Sequence, residues 1–212
     1  MSPPRLAILI SGRGSNMETL LSAVRDGRVR ADPVLVLSNR PDAAGLAAAR
    51  EAGVPAVALD HRTHPGRAEF DAAMQQALEE AGADLIACAG FMRIMTDAFV
   101  ERWRGRMINI HPSLLPLFPG LDTHARALAA GVAVHGCTVH EVVPEVDAGR
   151  ILGQAVVPVW PGDAPDTLAA RVLAMEHRLY PAALGAFIED ADALRRAPIA
   201  MAAEPAAWRP TA

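Results

Sequence analysis

Five consecutive apolar residues, Leu6-Ala7-Ile8-Leu9-Ile10, run straight into Ser11-Gly12-Arg13-Gly14-Ser15-Asn16. A strand with water on one face alternates apolar and polar residues. An unbroken apolar run of this length fits a strand covered on both faces, as in a parallel sheet. Parallel neighbours need a crossover connection, usually a helix, so this opening predicts strands alternating with helices. The chain continues in that way. Strands are predicted at Val34–Leu37, Val54–Leu59, Asp84–Ala89 and Met107–Ile110. Helices are predicted at Ala43–Glu51, Arg67–Ala81 and Thr96–Trp103 between them. The pattern argues for an α/β fold: a doubly wound, mostly parallel sheet with helices on both faces. Beyond it, Ala125–Ala130 reads as a helix, His135–Val143 and Ile151–Pro158 as strands, and Ala164–Phe187 as a long helix. Residues 1–189 are expected to form one domain, and the Ala- and Pro-rich residues 190–212 a loosely packed tail.

Ligands of such sheets sit beyond the carboxyl ends of the strands. Three polar or glycine-rich loops fall there: Gly12–Asn16, Gly90–Ile94 and Asn109–Pro112. In the first, Ser15 and Glu18 match a capping box that opens a helix. A glycine turn feeding a helix N-terminus is a ready anion site, or a tight turn and nothing more. It is not a dinucleotide fingerprint, since Met17 stands where the third glycine belongs, and it lacks the Gly-Lys ending of a P-loop.

The third loop carries a candidate chemistry. Pro112 restricts His111 to extended backbone, and in extended chain residues i and i+2 point to one side. Asn109 and His111 therefore project together. An amide can donate to a developing oxyanion, and an imidazole can carry a proton near neutral pH. The pair suits acyl transfer through a tetrahedral intermediate, unless it is a strand end with two incidental polar residues.

A hydrophobic fraction of 51% over 212 residues is enough for a substantial core. The net charge of -4, without a basic block, does not favour a nucleic-acid partner, and 4% aromatic residues leave few stacking platforms. Cys88 and Cys137 lie in apolar or strand-like runs with no CxxC, which indicates neither a zinc cluster nor a disulfide framework. No stretch reads as a signal-peptide core or a membrane span, so a cytoplasmic protein with no membrane partner is expected. His124, His135 and His140 are read as structural or supporting residues, because His135 and His140 fall on opposite faces of one strand.

Five motifs together resemble the phosphoribosylglycinamide formyltransferases. They are Gly12-Arg13-Gly14-Ser15-Asn16; Ala89-Gly90-Phe91-Met92-Arg93-Ile94; Asn109-Ile110-His111-Pro112-Ser113-Leu114-Leu115-Pro116; Pro119-Gly120-Leu121-Asp122-Thr123-His124; and His135-Gly136-Cys137-Thr138-Val139-His140 running on to Asp147-Ala148-Gly149. The resemblance covers about residues 6–185 and implies the formyltransferase fold. It implies formyl transfer from 10-formyltetrahydrofolate, as co-substrate and without a metal, to the amine of phosphoribosylglycinamide. That is the third step of purine synthesis.

By this resemblance Asn109, His111 and Asp147 are the catalytic trio. Gly12, Arg13, Gly14, Ser15 and Asn16 hold the substrate phosphate, with Met175 and Glu176 toward the glycinamide end. Arg67, Met92, Arg93, Ile94, Met95, Asn109, Val143, Pro144, Glu145, Val146 and Asp147 contact the folate. Arg13 stands at the variable position of the glycine loop, Leu117 where charged residues are common, and Ala148 and Arg150 beside Asp147 also depart from the family pattern. The segment Leu115–Thr123 is read as a mobile flap.

Other readings are methionyl-tRNA formyltransferase, which has a further tRNA domain, and formyltetrahydrofolate hydrolase, which has an extra regulatory domain. A non-enzymatic nucleotide-binding module would explain Gly12–Asn16 but not Asn109, His111 and Asp147. Partners are expected to be small molecules only, with the chain a monomer or homodimer.

Overall fold

The computed structural model describes residues 2–204, and the chain divides into two compact units. The first holds the chain up to Asn109, with Glu141–Pro144; the second holds Ile110–His140 and the chain from Glu145 onward.

In the first unit the elements are β1 (Arg5–Ile10), α1 (Ser15–Arg25), β2 (Asp32–Ser38), α2 (Gly45–Glu51), β3 (Ala56–Ala58), a short 3-10 turn (His61–Thr63), α3 (Arg67–Glu80), β4 (Leu85–Cys88), α4 (Asp97–Arg102) and β5 (Met107–His111), whose last two residues belong to the second unit. The strand order is β3-β2-β1-β4-β5, and every pair in it is parallel. Both faces are covered. Ala7, Leu9, Leu35, Leu37, Ile86, Cys88 and Met107 form a core with Phe70, Met74 and Leu78 of α3 and Phe99, Val100 and Trp103 of α4. The alternate residues Leu6, Ile8, Ile10 and Val36 are equally buried. Helices α1 and α2 contact β2, and bury Met17, Leu20, Leu21, Leu46 and Ala49. That is why the sequence of β1 is apolar without a break: it has no wet face.

The second unit contains α5 (Thr123–Ala129), β6 (Val134–Glu141), β7 (Ile151–Pro158), α6 (Pro165–Arg196) and β8 (Ile199–Ala202). Strands β6 and β7 are antiparallel, and β7 and β8 parallel. Gly136 permits the close β6–β7 approach, since a Cβ there would lie 1.9 Å from the carbonyl oxygen of Ala155. Helix α6 packs on β7 and β8 with Leu168, Val172, Met175, Leu179, Tyr180, Ala183, Leu184 and Phe187 buried at three- and four-residue spacing. The expected fold class, a mostly parallel sheet wound with helices, is the one observed.

Two local expectations are corrected. The capping box does not form: Ser15 is already the first helical residue, and Gly14 occupies the cap in a left-handed conformation, with φ 82° and no side-chain cap bond. A serine cap needs extended backbone at its own position, and the glycine turn places helical backbone there instead. Residues 190–204, expected as loose tail, carry the end of α6 and all of β8. Asp190 breaks the helix with φ -156° and ψ 87°, and its carboxylate accepts a hydrogen bond from the Ala193 N–H at 2.8 Å. One acidic residue thus ends one helix and caps the next turn. The remainder of that expected tail, residues 205–212, lies outside the described residues.

Candidate active site

The first unit has a cleft of about 430 Å³ at the carboxyl ends of its strands. It is lined by Gly12–Asn16, by Met92 and Arg93, and by six residues the sequence reading did not single out as site residues: Ser11, Asn39, Arg40, His61, Ala89 and Gly90. The glycine loop is rigid for a steric reason. A Cβ on Gly14 would lie 3.0 Å from the Cα of Gly45 and from the Met17 methyl, while Gly12 has nothing within 4 Å of that position. The Gly45 N–H donates to the Gly12 carbonyl at 3.1 Å, so the start of α2 braces the turn. Arg13 is exposed, and Arg40 is held by Asp42 at 2.8 Å.

Of the residues expected to contact folate, Met92 and Ile94 are exposed, whereas Met95 packs against the core and the Arg93 guanidinium lies 5.1 Å from the centre of the Phe70 ring. Arg67 opens α3, exposed, outside the cleft lining. Asn109 is half-buried on β5, next to Cys88 of β4. Val143 and Pro144 belong to this unit and are half-buried.

The second unit gathers ionisable side chains away from water. His111 is 5% exposed. Its Nε2 lies 3.1 Å from the Phe118 carbonyl oxygen, and its Nδ1 lies 3.4 Å from Asp147 Oδ2. Asp147 Oδ2 also accepts the Gly120 N–H at 2.8 Å, and Oδ1 lies 3.6 Å from His140 Nε2. The segment expected as a mobile flap therefore touches both members of this pair through its backbone. Phe118, Asp122 and Asp147 all have positive φ, at 53°, 56° and 55°. This region is sparsely populated by bulky residues such as phenylalanine.

Thr138 anchors the chain just past His111. Its hydroxyl donates to the Ser113 carbonyl at 2.7 Å and accepts the Leu115 N–H at 3.0 Å. Nearby, His124 and His135 meet edge to face at 5.3 Å, and the Phe118 ring meets His135 at 5.9 Å. Burial, then the adjacent His124, pushes the His135 pKa down to about 4, and burial with the nearby His111 lowers that of His124. Glu145 and Val146 are exposed, while Met175 and Glu176 are buried on α6. Burial and the charge of Glu176 raise the Cys137 thiol, so that cysteine is an inert core residue.

The structure thus brings His111 and Asp147 together, and Gly12–Asn16 together with Met92 and Arg93. Sequence reasoning did not single out Phe118, gave Gly120 no role beyond its motif, and read His140 only as a structural or supporting residue. The one legible signal was the alternation that places His140 on the strand face of Thr138 and Val142.

A family model described as formyl transferase matches residues 4–184. The chain belongs to the formyl transferase family. Among members of that family, phosphoribosylglycinamide formyltransferase of Escherichia coli (strain K12) is 40% identical over 184 residues, covering 87% of each chain. The crystal structure of glycinamide ribonucleotide transformylase 1 from Symbiobacterium toebii superposes with a TM-score of 0.87 at 46% identity, covering 89% of both chains. Trifunctional purine biosynthetic protein adenosine-3 of Homo sapiens is 48% identical over 180 residues. This formyl transferase chain spans 18% of that protein's length, and the same share of its Bos taurus and Gallus gallus counterparts. The family resemblance read from the five motifs is borne out.

Proposed function

We propose that this chain transfers the formyl group of 10-formyltetrahydrofolate to the amine of phosphoribosylglycinamide in the cytoplasm, giving the N-formyl product and tetrahydrofolate, as the third step of purine synthesis. The observation that carries this is the setting of His111: Nε2 on a fixed carbonyl, Nδ1 facing a carboxylate. A ring that donates from Nε2 leaves Nδ1 as the nitrogen that gains and gives up a proton. Membership of the formyl transferase family and the similarity to phosphoribosylglycinamide formyltransferases support the same reading.

The amine nitrogen attacks the formyl carbon, and the carbonyl oxygen becomes an oxyanion. Asn109 and protonated His111 donate to it. The bond from formyl carbon to folate nitrogen then breaks, and the proton lost by the amine ends on that nitrogen, with His111 as its carrier. Asp147, 3.4 Å from Nδ1, orients the His111 ring. Gly12–Asn16 bind the phosphate through backbone N–H groups and the start of α1, with Arg13 adding a cation. Met175 and Glu176 take the glycinamide end. The pterin lies on the backbone of Met92–Met95 and Val143–Asp147, and Arg67 takes the folate's acidic end.

The test supplies 10-formyltetrahydrofolate with three acceptors in turn. Transfer to phosphoribosylglycinamide, exceeding transfer to methionyl-tRNA and to water by about 100-fold or more, is expected from a site built to hold that acceptor. Preference for tRNA or for water would replace this reading with that of the corresponding relative.

A further inference from the structure

Ser11 directly follows β1 and lies in the cleft of the first unit, 5% exposed. Its hydroxyl accepts the Met92 N–H at 2.7 Å and donates to Asn39 Oδ1 at 2.5 Å. Asn39 is 3% exposed, at the end of β2, and its own carbonyl accepts from the His61 ring at 2.8 Å. Met92 N–H is the first amide of the loop assigned above to the pterin. Met92 is 63% exposed, so packing contributes little to holding this residue.

We infer that Ser11 is a positioning residue for the folate. It fixes the Met92–Met95 backbone in a binding geometry before ligand arrives, and Asn39 orients the hydroxyl so that a lone pair faces Met92. The inference rests on the folate assignment made above. The physical basis is preorganisation. A loop whose backbone must read a planar ring by hydrogen bonds loses affinity when it samples other conformations. A buried hydroxyl bonded on both sides is a stiff brace, since its one proton is committed to Asn39. Ser11 acts through Met92 and does not itself carry out chemistry. A purely structural serine would produce a different pattern: lower stability with unchanged ligand affinity.

Two readouts on Ser11→Ala and Ser11→Thr test this, one of which needs no activity. Hydrogen exchange of the Met92 amide in the ligand-free protein is expected to speed up by about tenfold or more in Ser11→Ala and to stay near wild type in Ser11→Thr, which keeps the hydroxyl. Calorimetric binding of tetrahydrofolate is expected to weaken about tenfold in Ser11→Ala, with inorganic phosphate binding within about twofold. Ser11→Thr should restore folate affinity. Unchanged Met92 exchange, or faster exchange with unchanged tetrahydrofolate affinity, would overturn the inference. Failure of wild type to bind tetrahydrofolate at all would sink the folate assignment instead, and Ser11 with it. Wild-type binding without formyl transfer to the glycinamide acceptor would remove the proposed reaction and leave the Ser11 result standing.

Discussion

The cleft of the first unit and the His111 region of the second are built from different materials. The cleft is lined by glycine amides, the hydroxyls of Ser11 and Ser15, the carboxamides of Asn16 and Asn39, and three arginines. Apart from His61, its lining holds no histidine, carboxylate or thiol. The His111 region holds three imidazoles at 5% exposure or less, together with a carboxylate. Binding a phosphate needs donors that stay donors at every working pH, and backbone N–H groups do that without a charge to desolvate. Moving a proton needs groups that change state, and keeping them from water strengthens their coupling. The difference predicts that substitutions in the two regions fail in different ways.

The largest effect is expected at His111. His111→Ala should lower kcat about 1000-fold, or about 4 kcal/mol, by removing both the oxyanion donor and the proton carrier. KM for phosphoribosylglycinamide should change little, which steady-state kinetics will read. A collapse of KM with kcat intact would reverse the division between the two regions.

Next comes acid sensitivity, which should belong to the second unit. The His135 pKa falls from 6.5 to about 4 on folding. Below pH 6.5 the unfolded chain takes up a proton that the folded one refuses, so stability is lost as pH falls from 6.5 toward 4. The full loss is about 3 kcal/mol. Urea unfolding of wild type and His135→Gln at pH 7, 5.5 and 4 should show the gap between them closing by that amount. A constant gap would contradict it.

In the cleft, Gly14→Val should weaken binding of phosphoribosylglycinamide about 100-fold, or about 2.7 kcal/mol, because φ is +82° and the Cβ position is occupied. Gly12→Ala, where space is open, should stay within about threefold. Equal losses would place the phosphate elsewhere. The smallest effect is Thr138→Val, which keeps the shape but strands the Ser113 carbonyl and the Leu115 N–H. It should lower stability by about 2 kcal/mol while leaving phosphate binding unchanged, as denaturant titration and calorimetry would show.

How much of this was legible in the sequence follows the same division. The unbroken apolar runs of β1 and β4 identified the doubly covered sheet, and Gly14 marked the tight turn, because both signals are local. The Ser15–Glu18 pattern misled, since a capping box says nothing of whether a left-handed glycine has already taken the cap. Strand β8 was missed because Ile-Ala-Met-Ala is short, and its pairing with β7 is a tertiary fact. The brace of Met92 by Ser11 and Asn39 joins three segments, at sequence separations of 81 for Ser11 and Met92 and 28 for Ser11 and Asn39. No spacing rule reaches that far. The setting of His111 was half legible: Asn109 and His111 follow from strand alternation, whereas the Phe118 carbonyl depends on a positive φ in a bulky residue that no propensity would select.

The central claim is that His111 and Asp147 handle one proton as a unit. A double-mutant cycle on kcat for formyl transfer, with His111→Ala, Asp147→Asn and the pair together, tests it most directly. The account predicts that each single change costs heavily and that the double variant falls within about threefold of His111→Ala alone. Losses that multiply in full would show that the two side chains, 3.4 Å apart, work independently, and would contradict it.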